Sequence, residues 1–418
     1  MRRDLLLPIL LFAFSYSLAG QADDDFRIVH TFEDKPATNS FPVVFGPGGV
    51  AFGASGGGNT TCSPGNGCGT VYSLSQDKDG QSRFEVIYLF NEGEDGWLPS
   101  GKLLVDSNTN LYGTTWFGGS SPTYCYDECG TIFELTQSQD HHWTRRILHR
   151  FTGYDGQTPI GGLIPDAFGN LYGLTMQGGT NDAGTVFELR RDSDGTWSES
   201  VLHNFSGTAD GACPLGPLAF DKEWNLYGVT SCGGTYDQGT VFKLTRHSNR
   251  VWSETVLYSF GAFIGDGELP VGGPVLDKDG NVFGTTSSGG TRGGGVAFEL
   301  SKQADGTWAE TIIHDFLGGD DGSIPSGPVA IDPEGNLYGT TRLGGNSENY
   351  GYGTLFELTL HTNTGWSETI LHSFSNEDDG QLPNGGVTLK LNGSHRGIYG
   401  SAAGGAAGYG VDYEFRAF

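Results

Sequence analysis

The sequence predicts an all-β fold: a single seven-bladed β-propeller with four antiparallel strands per blade. A Tyr-Gly or Phe-Gly step recurs seven times, at Phe52-Gly53, Tyr112-Gly113, Tyr172-Gly173, Tyr227-Gly228, Phe283-Gly284, Tyr338-Gly339 and Tyr399-Gly400. The glycines of these steps are 60, 60, 55, 56, 55 and 61 residues apart, a period at which a unit cannot bury its apolar face alone and must stack on its neighbours. The intervening runs are short and β-prone, bounded by Gly, Pro, Asn or Asp, with 70 glycines among 418 residues.

The third copy shows the order of elements. Strand A opens on Pro159 and Gly161, strand B is Leu171-Tyr172-Gly173, strand C is Thr185-Val186-Phe187-Glu188-Leu189, and strand D runs from Trp197 to Phe205. Asp166 to Asn170 turns A into B, a Gly-Gly loop joins B to C, and Asp194-Gly195-Thr196 makes the C–D hairpin. Small residues recur on strand A at Gly101, Gly161, Gly216, Gly272, Gly327 and Gly385, which places that strand at the crowded axis.

This phase gives the two chain ends a role. Residues 28–32 (Ile28-Val29-His30-Thr31-Phe32) match the strand D of Ile370 to Phe374, whereas the C-terminus stops on a strand C, Val411 to Phe415. The N-terminal strand is therefore expected to complete the last blade and close the ring, removing its open edge. The propeller spans 26–418, with blades near 42–90, 99–151, 159–205, 214–260, 270–316, 325–374 and 383–418 plus 28–32.

Residues 1–20 have the grammar of a secretory signal peptide: Arg2 and Arg3, an apolar run from Leu5 to Leu18, then Ala19 and Gly20. That run is short for a membrane span, and no other stretch is apolar enough. The six cysteines fall as close pairs, Cys62–Cys68, Cys125–Cys129 and Cys213–Cys232, expected as disulfides in an oxidising compartment. A net charge of -26 repels nucleic acid and anionic membranes; it fits neutral glycans, cationic partners or calcium. A secreted monomer, extracellular or periplasmic, is expected, with a carbohydrate or an extracellular protein as partner.

The residues that carry the repeat also carry a resemblance. Asn336-Leu-Tyr-Gly-Thr-Thr341, Gly184-Thr-Val-Phe-Glu-Leu189 and the W-x-E-x-x-L-H-x-F phrase at Trp197 to Phe205 and Trp366 to Phe374 resemble the GloVer tandem repeat over essentially all of the mature chain. The resemblance implies a propeller exported by bacteria, secreted or surface-anchored, and carries over no activity. The chain ends on strand C of the last blade without a sorting tail, so anchoring is not expected.

In such a meander the D–A and B–C loops share one face, here the upper face, and the A–B and C–D turns share the other. The long B–C loops 59–67, 120–128 and 346–352 and all six cysteines fall on the upper face, where a rigid scaffold positions binding loops. An Asp-Gly pair enters that face in six blades, at Asp95, Asp155, Asp210, Asp266, Asp321 and Asp379, while the first blade has Thr38. Such a ring of carboxylates would hold calcium; alternatively each caps its own turn, which six-fold repetition favours. No cofactor is required.

Positions where the copies disagree are the stronger candidates for a site. The residue after the Thr-Thr pair is Gly56, Trp116, Met176, Ser231, Ser287, Arg342 or Ala403, and Lys102 fills a slot that is Gly or Pro in most other copies. With Trp97, Tyr124, Tyr126, Tyr154 and Tyr350 in the same loops, Trp116, Lys102 and Arg342 form a candidate stacking and hydrogen-bonding surface for sugars; ordinary loop variation is the alternative. The expected function is binding of a carbohydrate or protein on the upper face. The rival is a polysaccharide lyase or glycoside hydrolase in the central funnel, with Lys102, Arg342, Tyr124 and Asp155 as catalytic candidates. The recurrent His149, His203, His314 and His372 read as packing residues of strand D, and no nucleophile motif, P-loop or dinucleotide fingerprint is present.

Overall fold

Each Tyr-Gly step forms part of the second strand of a four-stranded antiparallel sheet, and seven such sheets make the ring. The structure, a computed structural model, describes residues 25–32, 41–57, 67–76, 82–94, 96–119, 129–345, 351–392 and 395–417. Blade 3 is typical, with strands Gln157–Pro165, Leu171–Gln177, Thr185–Arg191 and Trp197–Asn204 paired in sequence order. In blade 6 strand A is split into Ser323–Pro325 and Ala330–Ile331, both paired with Leu337–Leu343. Among the described residues no helix is long and apolar enough to cross a membrane.

The ring closes through its ends. Phe26–Thr31 pairs with Val411–Ala417, from Phe26 opposite Phe415 to Thr31 opposite Val411. The closing strand thus starts two residues earlier than the sequence suggests, and Phe32 follows it with its N–H on the Gly410 carbonyl at 3.1 Å. The leader read at residues 1–20 lies outside the described residues.

The core lies between blades. Phe205 at the end of blade 3 meets Phe242 of blade 4 edge to face, with ring centroids 5.1 Å apart. The same contact recurs at the other six junctions, as Phe32–Tyr72, Phe90–Phe133, Phe151–Phe187, Phe260–Phe298, Phe316–Phe356 and Phe374–Tyr413. Burying each such ring contributes about 2 kcal/mol. This packing explains the Tyr-Gly step: a Cβ on Gly228 would lie 2.3 Å from Cζ of Phe242, so only glycine admits the ring. The tyrosine of the step is held from its other end, Tyr172 donating to Glu188 at 2.7 Å and to Asp166 at 3.2 Å.

Blades are also strapped together at the upper face. In six blades the residue before the strand A proline has left-handed backbone, with φ from 48° at Leu382 to 57° at Thr158 and Ile324. That twist costs a non-glycine residue about 1–2 kcal/mol. It aims the N–H at the preceding blade: Thr158 reaches the Cys129 carbonyl at 3.0 Å and Leu382 the Tyr352 carbonyl at 2.7 Å.

Candidate functional site

The loops divide between faces as the meander requires. On the upper face the B–C loop of blade 3 rests on the preceding D–A loop, with Gly179 N–H on the Gly153 carbonyl at 2.8 Å. On the lower face the A–B and C–D turns meet, Arg191 N–H reaching Asn170 Oδ1 at 3.3 Å.

The predicted site residues scatter over this frame. Trp97 is half-buried and lies against Phe117 at 4.7 Å. Trp116 is half-buried, and its indole Nε1 has no hydrogen-bond partner among the described residues. Tyr154 is 61% exposed on the D–A loop, and Arg342 is exposed at the end of strand B. Tyr124, Tyr126, Tyr350 and Asp95 lie outside the described residues. Of those that are described, only Lys102 lines the axial cavity.

The axis holds a cavity of about 730 Å³ lined by strand A residues of all seven blades. Its waist is a ring of glycines in backbone contact: a Cβ on Gly161 would stand 2.0 Å from the Gly216 carbonyl oxygen, and one on Gly272 2.2 Å from Gly327. From there the cavity follows strand A toward the A–B turns, past aliphatic residues such as Leu104, Ile164, Leu218, Val275, Ile331 and Val387. Among the described residues Lys102 is the one charged residue in this lining, and Asn384 is the other polar side chain. Lys102 is exposed to solvent and stands in the channel lining. Desolvation by the surrounding walls lowers the amine's pKa from its usual 10.5 to about 8.

The five described Asp-Gly aspartates, Asp155, Asp210, Asp266, Asp321 and Asp379, do not converge on a common ion. Each caps its own turn: Asp155 accepts the Thr152 N–H at 2.8 Å, Asp266 the Ala262 N–H at 2.7 Å and Asp379 the Ser375 N–H at 3.0 Å. Each also takes a bond from strand D. His149 reaches Asp155 at 2.9 Å, His203 reaches Asp210 at 3.2 Å, His314 reaches Asp321 at 3.0 Å and His372 reaches Asp379 at 3.0 Å. Tyr258 takes the histidine's place before Asp266 at 3.0 Å. The recurrent histidines pack edge-on against phenylalanine, as His149 does on Phe151 at 4.9 Å, but their ring nitrogens bond to aspartate as well. Burial would raise Asp155, yet the bonds from His149 and Thr152 outweigh it and hold the carboxyl below its usual range.

A third member of these clusters went unread in the sequence. The glutamates of the Trp-x-Glu phrase, Glu199, Glu254, Glu310 and Glu368, reach back from strand D of the next blade toward the aspartate. Burial first, then the charge of Asp155, raises Glu199 to about 8; burial, then the hydrogen bond with Asp321 and its charge, raises Glu368 to about 9. The signal was present, since a glutamate recurs at one register of an otherwise β-prone strand.

The cysteines divide. Cys68 and Cys129 are disulfide-bonded; Cys62 and Cys125, their expected partners, lie outside the described residues. The expected Cys213–Cys232 bridge is not formed, and both are free thiols. Cys232 stands opposite Ala212, so the two cysteines are offset by one residue along the sheet. The thiols touch without bonding, and burial followed by contact with Cys232 pushes Cys213 up to about 12.

No curated protein matches the chain. Among solved structures, a luciferin-regenerating enzyme aligns at 13% identity and a TM-score of 0.45, covering 79% of this chain and 94% of that one. The NanB sialidase of Streptococcus pneumoniae aligns at 11% identity and a TM-score of 0.42, covering 94% of this chain and 70% of that one. The model of the Gloeobacter/Verrucomicrobia repeat matches twice, over residues 12–219 and 191–413, and together these matches span nearly the whole ring: the chain belongs to the Gloeobacter/Verrucomicrobia repeat family.

Proposed function

We propose that this protein binds a small amphiphilic anion, an apolar body carrying a carboxylate, in the axial channel with Lys102 as the counter-charge. The observation that carries this reading is the lining, in which, among the described residues, Lys102 alone is charged and aliphatic side chains make up most of the rest. An ammonium amid apolar walls attracts a carboxylate more strongly than it would in water, and the aliphatic walls reward burial of a hydrocarbon at about 25 cal/mol per Å². The leader expected at residues 1–20 would put this ligand outside the cytoplasm.

The upper-face carbohydrate reading has less behind it. Trp97 packs on Phe117, and the exposed pair Tyr154 and Arg342 does not line the channel. A glycoside hydrolase needs two carboxyl groups across its substrate, and among the described residues the channel lining contains none.

The test is calorimetric titration of the full chain with straight-chain carboxylates, matched primary alcohols, and neutral and acidic oligosaccharides. The carboxylates bind, the alcohols bind more weakly, and Lys102→Met lowers carboxylate affinity about tenfold or more, a loss of about 1.4 kcal/mol. Binding of oligosaccharides alone, or carboxylate affinity unchanged in Lys102→Met, overturns the proposal.

A further inference from the structure

Seven junctions join the outer strands of neighbouring blades, and their chemistry differs in an ordered way. At two of the junctions a histidine of one blade, the aspartate of the following turn and a glutamate of the next blade come within reach of one ion. At the junction of blades 2 and 3 these are His149, Asp155 and Glu199; at that of blades 5 and 6 they are His314, Asp321 and Glu368. In both places one ligand atom from each residue lies within 4.8 Å of the others. His314 Nε2 is 3.0 Å from Asp321 and 3.6 Å from Glu368, close to the separation of about 3.3 Å between ligands of a tetrahedral ion with bonds near 2.0 Å.

A second observation points the same way. Oε1 of Glu199 and of Glu368, like that of Glu254 and Glu310 at two other junctions, is buried without a hydrogen-bond partner among the described residues, and the Glu368 side chain is only 10% exposed. A buried carboxylate oxygen left unpartnered costs free energy, which an ion in the cluster removes.

We infer that these two junctions are binding sites for a zinc-class divalent cation, held by one imidazole and two carboxylates contributed by adjacent blades. The donor set selects the metal. Calcium takes six to eight oxygens, whereas a nitrogen and two oxygens suit zinc with water in the fourth position. A doubly charged ion also neutralises the two carboxylates. Because the ligands come from two blades, the ion staples the outer rim of the ring.

Other junctions provide internal contrasts. Tyr258 replaces histidine between blades 4 and 5. Between blades 6 and 7 Phe26 stands in the glutamate position and stacks on His372 at 3.6 Å. At the closing junction Phe84 stacks on His30 at 4.3 Å. Stacking there takes the place of metal binding.

The experiment titrates the EDTA-stripped full chain with Zn²⁺ by calorimetry, with Ca²⁺ as contrast. Two equivalents of zinc are expected from the two clusters, with His149→Gln and His314→Gln each removing one and Ca²⁺ giving no comparable heat. Glu368→Gln, a near-isosteric change, is the second variant should a histidine variant fail to fold. On the wild type, Co²⁺ is expected to give the intense visible absorption of a four-coordinate site. Absence of zinc binding, zinc uptake unchanged in the double histidine variant, or only the weak spectrum of six-coordinate Co²⁺ overturns the inference. The sites lie on the outer rim, so their failure leaves the channel proposal standing, and the reverse.

Discussion

The Tyr72 hydroxyl donates a 2.7 Å hydrogen bond to Asp412 across the seam where the last blade meets the first. Both residues are fully buried, and both break the repeat. The other blades put Val71, Ile132, Val186, Val241, Ala297 or Leu355 where Asp412 stands, and phenylalanine where Tyr72 stands in all but the last blade. The Asp412–Tyr72 pair therefore marks the one junction formed by distant parts of the chain. A buried polar pair of this kind is a poor source of stability and a good source of specificity.

This pair sets a pH dependence with a definite sign. Burial raises the Asp412 carboxyl to about 7 in the folded ring, above its value in the unfolded chain. Its contribution to stability is therefore full at acid pH and is lost as pH rises through the window from about 4 to 7, by on the order of 4 kcal/mol. Asp412→Asn is expected to flatten the fall in Tm between about pH 5 and pH 8 relative to the wild type. An identical slope in the variant contradicts this.

Tyr72→Phe alone strands the carboxyl and is expected to cost about 1–3 kcal/mol. Tyr72→Phe combined with Asp412→Val reproduces the Val186–Phe242 chemistry of the regular junctions and is expected to recover that loss. Denaturant unfolding of the singles and the double measures the coupling, and strictly additive losses would argue against a linked pair.

Glycine in the Tyr-Gly step is required by the ring above it. Gly228→Ala puts a methyl 2.3 Å from Phe242 Cζ and is expected to destabilise by about 1–3 kcal/mol through overpacking. Pairing it with Phe242→Leu should lessen its cost. Equal cost in both backgrounds would locate the strain elsewhere.

Removal of Phe26–Thr31 opens the edge of Val411–Ala417. Tm is expected to fall by on the order of 10 °C, and the exposed strand is expected to recruit other chains. Light scattering and size-exclusion chromatography read that association. A truncated protein that stays monomeric with unchanged Tm would show that the ring does not depend on this strand.

Repetition made the architecture legible. The Tyr-Gly period counted the blades, and matching Ile28 to Phe32 against Ile370 to Phe374 located the closure. Contacts between copies were harder to see. Asp155 looked like a turn residue because its local sequence explains it fully, yet Glu199 approaches it from the next blade. Nothing near Asp155 in sequence shows that contact, nor the ring of Phe242 that demands Gly228. Lys102 was visible as an exception to its column, but its isolation in an aliphatic channel emerges only when seven strands A surround it. Cys213 and Cys232 show the converse: sequence proximity suggested a bridge, and the structure has them as free thiols in contact.

The channel account is tested most directly at the Lys102 amine. Reductive methylation with ¹³C-formaldehyde, followed by NMR titration of the lysine signals, reads its ionisation in the full chain, with Lys102→Met assigning the peak. The account predicts a resonance titrating near pH 8 that moves to higher pH when a straight-chain carboxylate is added, as an amine does on gaining an anionic partner. A Lys102 signal titrating at the ordinary value above pH 10, unmoved by the carboxylate, would contradict it.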